Sequence, residues 1–167
     1  MAGGYISGIM PITTRTLAVA ALALSLAVIG FVLFAEHVQG YPPCELCLRE
    51  RLPWYAAIAV AVFGIVYPSR WFIGAIVLLL LASAALGAHH SGVEQHWWPG
   101  PTACTGGATG ANSIDELRAM MHQQRIVQCD AIAWTFIGLS MATWNFVVSL
   151  VAAVLFATFA LRGRHAH

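Results

Sequence analysis

The chain has 167 residues, of which 59% are hydrophobic and only 9% are charged, and its formal net charge at pH 7 is +1. Soluble domains carry about 25% charged residues, so this composition excludes an ordinary soluble domain and is typical of a protein in a bilayer. The chain has no lysine and no basic patch for nucleic acid. Four cysteines, an even number, are compatible with two disulfides in an oxidising compartment.

The first predicted element is a transmembrane helix over residues 16–34, which form a run of 19 residues without a charge. This length matches the roughly 20 residues that a span requires. A signal peptide is the alternative, but its apolar region is only about 7–15 residues long and precedes a small-residue cleavage site. The run ends in Leu-Phe-Ala-Glu without such a site, so we interpret it as the first span.

The loop over residues 35–51 carries a dithiol, Cys44-x-x-Cys47, directly after a Pro-Pro pair. Because prolines cannot extend a helix backwards, a helix is expected to begin near Cys44. Its free N–H groups and positive dipole end would then favour the reactive thiolate form of both cysteines. Arg51 falls on the same helical face, at i+7 from Cys44, and adds a permanent cation. The pattern predicts a redox site.

Two other uses of this cysteine pair are a zinc site and a haem attachment site. A zinc knuckle usually needs a second CxxC or HxxxH, but Cys104 and Cys129 stand alone and the seven histidines are scattered. A c-type haem would need a histidine directly after Cys47, where the chain has Leu48. We therefore predict redox chemistry and no bound metal.

Three further spans are predicted. Helix two covers residues 45–67, with its first turns in the head-group layer and a kink or loosening expected at Pro53. Helix three covers residues 71–88. Helix four covers residues 142–161, because the 31 uncharged residues that end there are too many for one untilted span. Residues 134–141 are then expected to lie along the membrane surface.

The long loop over residues 89–141 contains Cys104, a Gly-rich tether and Cys129. Between the two cysteines, Ser113-x-x-Glu116 predicts a capping box that opens a short amphipathic surface helix, whose apolar stripe either lies in the membrane interface or packs on the bundle. The fold class that follows is a single all-α membrane domain, a bundle of four transmembrane helices with two cysteine-bearing loops.

Four spans place both termini on one side of the membrane and both cysteine loops on the other. The eight arginines divide equally between the two sides, so the positive-inside rule does not orient the chain. Redox chemistry does orient the chain, because cysteine pairs that face the cytosol are kept reduced. We place both loops on the outer face, where a mobile outer pair can meet a soluble protein and the inner pair can meet a lipid-soluble electron acceptor. The alternative is two inert stabilising disulfides.

Together these features resemble the bacterial disulfide bond formation protein B (DsbB) family over nearly the whole chain. The resemblance lies in the four spans, the CxxC followed by Arg51, the cysteines at 104 and 129, and residues 92–101 and 136–141. It implies a quinone-dependent thiol oxidase of the bacterial inner membrane, with cytoplasmic termini and periplasmic cysteine loops. Ubiquinone or menaquinone would be its cofactor.

The resemblance also implies roles for individual residues. A periplasmic DsbA-like protein of thioredoxin fold would be the partner, and its thiolate would attack Cys104. Cys129 would then be released and join Cys44, which leaves Cys47 as the thiolate that faces the quinone. Arg51 matches the family arginine that supports quinone binding. His90 is the best match to a family histidine near the end of helix three, with the adjacent His89 as the alternative, and either can instead be a histidine of the membrane interface.

Three alternatives remain at this stage. A vitamin K epoxide reductase-like enzyme is also quinone-linked, but its CxxC is expected at the last helix of the bundle. A structural membrane protein would keep its disulfides inert. A transporter is disfavoured, since we expect no buried acidic or basic residue within the spans.

Overall fold

A computed structural model of the chain describes residues 13–101 and 128–162. Within these ranges the chain forms four helices and one short hairpin. The helices are α1 (Thr14–His37), α2 (Glu45–Val66), α3 (Arg70–Glu94) and α4 (Met141–Arg162), and the strands are β1 (Thr135–Phe136) and β2 (Leu139–Ser140). Cys104, the Gly-rich tether and the predicted surface helix that starts at Ser113 lie outside the described residues.

Three of the described helices, α1, α3 and α4, are long and apolar enough to cross a membrane. Helix α2 has a similar length, but its first two turns hold Glu45, Arg49, Glu50 and Arg51. It therefore does not reach the same apolarity, although it packs against both α1 and α3. Helix α4 packs against α3 and completes the helical core.

Small residues allow the helices to approach each other closely, as is usual for helices in membranes. A Cβ at Gly87 of α3 would lie 2.8 Å from the backbone nitrogen of Phe146 in α4. A Cβ at Gly64 of α2 would lie 3.3 Å from the Cβ of Ala18 in α1. The neighbouring core is formed by buried aliphatic and alanine side chains, among them Ala61 and Ile76.

Helix α3 continues to Glu94, beyond the end predicted at residue 88. His89 and His90 are therefore helical, whereas the sequence prediction placed them in the long loop. No proline occurs between residues 70 and 98, and the helix ends just before His96, which adopts a positive φ of 59°. The additional turns carry His90 and Glu94 over the start of α2.

Residues 135–140, which the sequence predicted to lie along the membrane surface, form an antiparallel hairpin that pairs Thr135 with Ser140. Its two-residue turn has positive φ at Ile137 (53°) and Gly138 (76°), as a hairpin turn that matches strand twist requires. Helix α4 begins directly afterwards, and the indole nitrogen of Trp144 donates to the carbonyl of Phe136 at 2.9 Å. The hairpin is thereby tied to the helix that follows it.

Candidate redox site

Cys44 is the N-cap residue of α2. Its backbone is extended, as expected after two prolines, and its sulfur accepts a hydrogen bond from the backbone N–H of Cys47 at 3.1 Å. The side chain of Cys47 makes a further contact with this sulfur, since the two Sγ atoms lie 2.8 Å apart, within hydrogen-bonding distance. Both cysteines are free thiols. The helix start therefore holds a reduced dithiol with its two sulfurs in direct contact.

The pKa of the Cys44 thiol lies below its ordinary value, chiefly because the Cys47 side chain is hydrogen-bonded to its sulfur. Burial acts in the opposite direction, and backbone N–H groups of the first helical turn lower the pKa further. Of the two thiols, Cys44 is therefore the one that ionises more readily. The thiolate role implied for Cys47 concerns a different state, in which Cys44 is bonded to Cys129.

Of the two adjacent histidines, His90 is the one that faces the dithiol. It is buried, and its Nε2 lies 3.6 Å from Sγ of Cys44. His89 points elsewhere and stacks on Trp98, with ring centroids 5.8 Å apart. Trp98 is held there because its Nε1 donates to the carbonyl of His89, while Gly92 leaves room for its ring. The sequence alone could not separate these two histidines.

A hydrogen-bonded chain of side chains leads from His90 into the bundle. Nδ1 of His90 lies 2.6 Å from Oε1 of Glu50, and Nδ2 of Asn145 donates to Oε2 of Glu50 at 2.9 Å. The indole N–H of Trp54 donates to Oδ1 of Asn145 at 2.9 Å. Because an indole N–H can only donate, it fixes which end of the Asn145 amide faces Glu50.

Buried Glu50 and His90 correct one expectation from the sequence, namely that the helices contain no buried acidic or basic residue. Glu50 is 8% exposed and His90 is 4% exposed. The sequence prediction assigned all charges of early α2 to the head-group layer, but α3 extends far enough to cover Glu50. The two side chains pair with each other beside the dithiol, as buried polar groups must to offset their desolvation.

Arg51 lies on the wall of the same cavity as both sulfurs. Its Nη1 donates to Oε2 of Glu36, near the end of α1, at 2.6 Å. The Arg51 side chain is 12% exposed, so the ion pair is largely shielded from solvent. Arg49, by contrast, pairs with Glu45 on the exposed face of the helix.

A cavity of about 480 Å³ opens beside the dithiol. Its walls come from α1, the first turns of α2, the hairpin and the start of α4, and most of the side chains are aliphatic or aromatic. At one end the lining is polar and reactive. This end is formed by Cys44, Cys47, Glu50, Arg51, His90 and Asn145.

Cys129 lies next to the dithiol. It is 1% exposed and packs in one buried cluster with Cys44, Leu46 and Val93. Cys47 packs against the same cluster, and Cys129 is disulfide-bonded. Three of the four predicted redox cysteines therefore meet at one end of the helices. The fourth, Cys104, lies outside the described residues.

Sequence reasoning missed Glu50 and Asn145 as parts of this site. Glu50 follows Cys47 by three residues and so shares its helical face, a signal that was available. Asn145 is a polar residue within the apolar run of α4. Its partner could not be identified from the sequence, because Glu50 and Asn145 lie 95 positions apart.

The chain is similar to known proteins over most of its length. A family model described as "Disulfide bond formation protein DsbB" matches residues 14–159. A disulfide bond formation protein B of Acidovorax sp. (strain JS42) is 34% identical over 151 residues, which cover 84% of each chain. Proteins of the same name from Paracidovorax citrulli and Azoarcus sp. (strain BH72) are 32% and 30% identical. Those matches cover 84% and 93% of this chain and 83% and 96% of the relatives.

Proposed function

Because the chain belongs to the DsbB family of membrane oxidoreductases that generate disulfides, we propose that it passes electrons from a DsbA-like periplasmic dithiol protein to a membrane quinone. The observation that carries this proposal is the free Cys44–Cys47 dithiol, which opens directly into a largely apolar cavity. A soluble protein substrate has no need of such a cavity, whereas a lipid-soluble acceptor does.

The cavity residues fit a quinone of either kind, ubiquinone or menaquinone. The apolar walls suit a ring with an isoprenoid tail, and the reactive end offers a cation where a carbonyl oxygen would lie. A bound quinone would accept the two electrons and two protons that the dithiol loses when it closes to a disulfide. Arg51, held by Glu36, would donate to a carbonyl oxygen and favour negative charge on it.

The dithiol itself is arranged for oxidation. The Cys47 side chain beside its sulfur lowers the pKa of Cys44, which favours the thiolate, the form that reacts. His90 lies beside Cys44 with its other nitrogen on Glu50. The His90–Glu50 pair would receive a thiol proton as the disulfide forms. His90 would thus act at the acceptor site and would not contact the partner protein.

The relay between cysteine pairs follows thiol–disulfide exchange. The partner's thiolate would attack Cys104 of an outer disulfide and release Cys129 as a thiolate. Cys129 would attack Cys44 of an inner disulfide and release Cys47. Packing of Cys129 against Cys44 supports this transfer, because exchange requires direct contact between sulfurs. Each step forms one S–S bond and breaks one, so electrons are conserved.

We further propose that both cysteine loops face the periplasm and that the termini are cytoplasmic. The start of α2 and the Cys129 segment meet at one end of the helices, which supports placing both loops on one face. The oxidising side is the one where cysteine pairs can cycle. The family match favours this function over a vitamin K epoxide reductase-like enzyme.

Quinone reduction by the purified protein, driven by a reduced DsbA-like dithiol protein, tests the proposal. We expect turnover in the unmodified chain and none in Cys104→Ser, which blocks electron entry. No turnover with either ubiquinone or menaquinone, in folded protein with oxidised cysteines, would instead indicate inert disulfides.

A further inference from the structure

We propose that the reduced dithiol and His90 form a site for one thiophilic d¹⁰ cation such as Zn²⁺, which is present only while Cys44 and Cys47 are reduced. Two sulfurs and one imidazole nitrogen meet here, and all three atoms lie within 4.8 Å of one another. Thiolate sulfur and imidazole nitrogen are the donors that zinc prefers in proteins. The site lies at the reactive end of the cavity.

The distances are close to those of a tetrahedral centre. With Zn–S near 2.3 Å and Zn–N near 2.0–2.1 Å, tetrahedral angles separate sulfur from nitrogen by about 3.6 Å and sulfur from sulfur by about 3.8 Å. Sγ of Cys44 and Nε2 of His90 already lie 3.6 Å apart. The two sulfurs, at 2.8 Å, must separate by about 1 Å. Rotation of the Cys47 side chain is sufficient, since Cys44 is held by its capping hydrogen bond.

An independent observation supports the site, namely the partner of the other imidazole nitrogen. A histidine that binds a metal almost always gives its second nitrogen to a carboxylate or carbonyl, which orients the ring. Here Nδ1 of His90 lies 2.6 Å from Glu50, and Asn145 holds the second oxygen of that carboxylate. Nε2 is thereby directed at the sulfurs before any ion arrives.

The charges of the site also suit a divalent cation. Two thiolates balance the charge of the ion, and binding releases the thiol protons without any transfer of electrons. Arg51 is the nearby cation on the cavity wall, but Glu36 pairs with it. Its repulsion of a bound ion is therefore largely offset.

Three protein ligands leave the fourth position open toward the cavity, as in zinc sites that bind a water or another small ligand. Closure of the disulfide removes two of the three ligands, so oxidation and metal binding exclude each other. A bound ion would hold the dithiol reduced and stop electron transfer. That inhibition rests on the proposed function, whereas metal binding rests on the geometry alone.

Metal titration of the full chain tests the site in a Cys104→Ser/Cys129→Ser background, which leaves Cys44 and Cys47 as its thiols. Cd²⁺ reports binding through thiolate-to-metal absorption, and Zn²⁺ competes with a chromophoric chelator. We expect one ion per reduced chain and none after the pair is oxidised. His90→Ala should weaken binding at least tenfold, because a lost second-shell partner alone costs about 10–100-fold.

The matched control is His89→Ala, since His89 stacks on Trp98 and does not face the sulfurs. It should bind the ion as the background does. Equal affinity in the background and in His90→Ala, or undiminished binding after oxidation, would overturn the site. If His90→Ala does not fold, X-ray absorption of the zinc-loaded Cys104→Ser/Cys129→Ser chain identifies the ligands directly. Two sulfurs and at least one nitrogen are expected around the ion, and coordination without nitrogen would overturn the proposal.

A separate assay distinguishes this site from the proposed function. Stoichiometric metal binding by a chain that reduces no quinone would support the metal site and reject the function. Quinone reduction that persists in a chain whose reduced dithiol binds no metal would support the function and overturn the site.

Discussion

The two ends of the helices are stabilised in different ways. At the apolar end, Ala18, Ala61 and Ile76 are fully buried, and close contact between small and aliphatic side chains holds the helices together. At the dithiol end, hydrogen bonds between side chains of different helices join Glu50 to His90 and Asn145. The first end depends on close packing, and the second depends on paired polar side chains.

We therefore expect the apolar end to determine mainly the stability of the bundle and the dithiol end to determine mainly its redox function. Substitutions at the apolar end should change unfolding while leaving the cysteines intact. Substitutions at the dithiol end should change redox behaviour first, because the side chains there surround the sulfurs and the cavity. The predictions below test the contributions of the redox residues and of the helix packing one at a time.

The largest effect is expected from Cys47→Ser. Without the second sulfur the inner pair cannot close to a disulfide, so quinone reduction should fall to background. A trapped mixed disulfide with the partner should still form through Cys104. The measurement is quinone absorbance during turnover, with non-reducing electrophoresis for the complex. Normal turnover would contradict the role of Cys47.

Arg51→Ala should come next, with kcat/KM for quinone lowered about 10–100-fold. This range corresponds to the roughly 1.5–3 kcal/mol of a hydrogen bond to a charged group. Thiol exchange at Cys104 should remain largely intact. The matched control is Arg49→Ala, which removes an arginine of the same helix from the exposed Glu45 pair. An equal loss of kcat/KM in both variants would show that any nearby positive charge has this effect, and would contradict a specific role for Arg51.

Gly87→Ala tests the packing of α3 against α4. The added Cβ would lie 2.8 Å from the Phe146 nitrogen, so the helices must move apart, at a cost of about 1–3 kcal/mol in the free energy of unfolding. Gly74→Ala, on the same helix, meets nothing within 4 Å and should be neutral or slightly stabilising. Thermal unfolding in detergent measures both. Similar midpoints for the two variants would show that the close approach is unimportant.

The smallest effect concerns the titration of Cys44. Because the Cys47 side chain is hydrogen-bonded to its sulfur, the pKa of Cys44 is lowered, so its thiolate persists to lower pH than that of an ordinary cysteine. In Cys47→Ala the first cause of the lowering is removed, and the midpoint should move to higher pH. Thiolate absorbance against pH, in the Cys104→Ser/Cys129→Ser background, measures the change. An unchanged midpoint would assign the lowering to the helix N-terminus instead.

The sequence predicted the features that depend on neighbouring residues. The Pro-Pro pair and the CxxC led to a helix start at the cysteines, and α2 begins at Glu45 with Cys44 as its cap. Runs of apolar residues led to the long helices. These features follow from local rules about proline, capping and hydropathy.

The features that sequence reasoning missed depend on contacts between distant segments. The six additional residues of α3 bring His90 over Glu50, and Asn145 arrives from α4. Spacing along the chain could not show that His90 approaches the dithiol from another helix. The hairpin at residues 135–140 depends on a positive φ at Ile137, which a β-branched residue rarely adopts.

A single-turnover reaction between the reduced inner pair and quinone tests the central claim most directly. The protein is the Cys104→Ser/Cys129→Ser chain, reduced and freed of reductant, so that the Cys44–Cys47 dithiol supplies the electrons without a partner. We predict one quinone reduced per chain, together with one new disulfide detected by mass spectrometry. A folded chain that keeps both thiols in the presence of ubiquinone and of menaquinone would contradict the account.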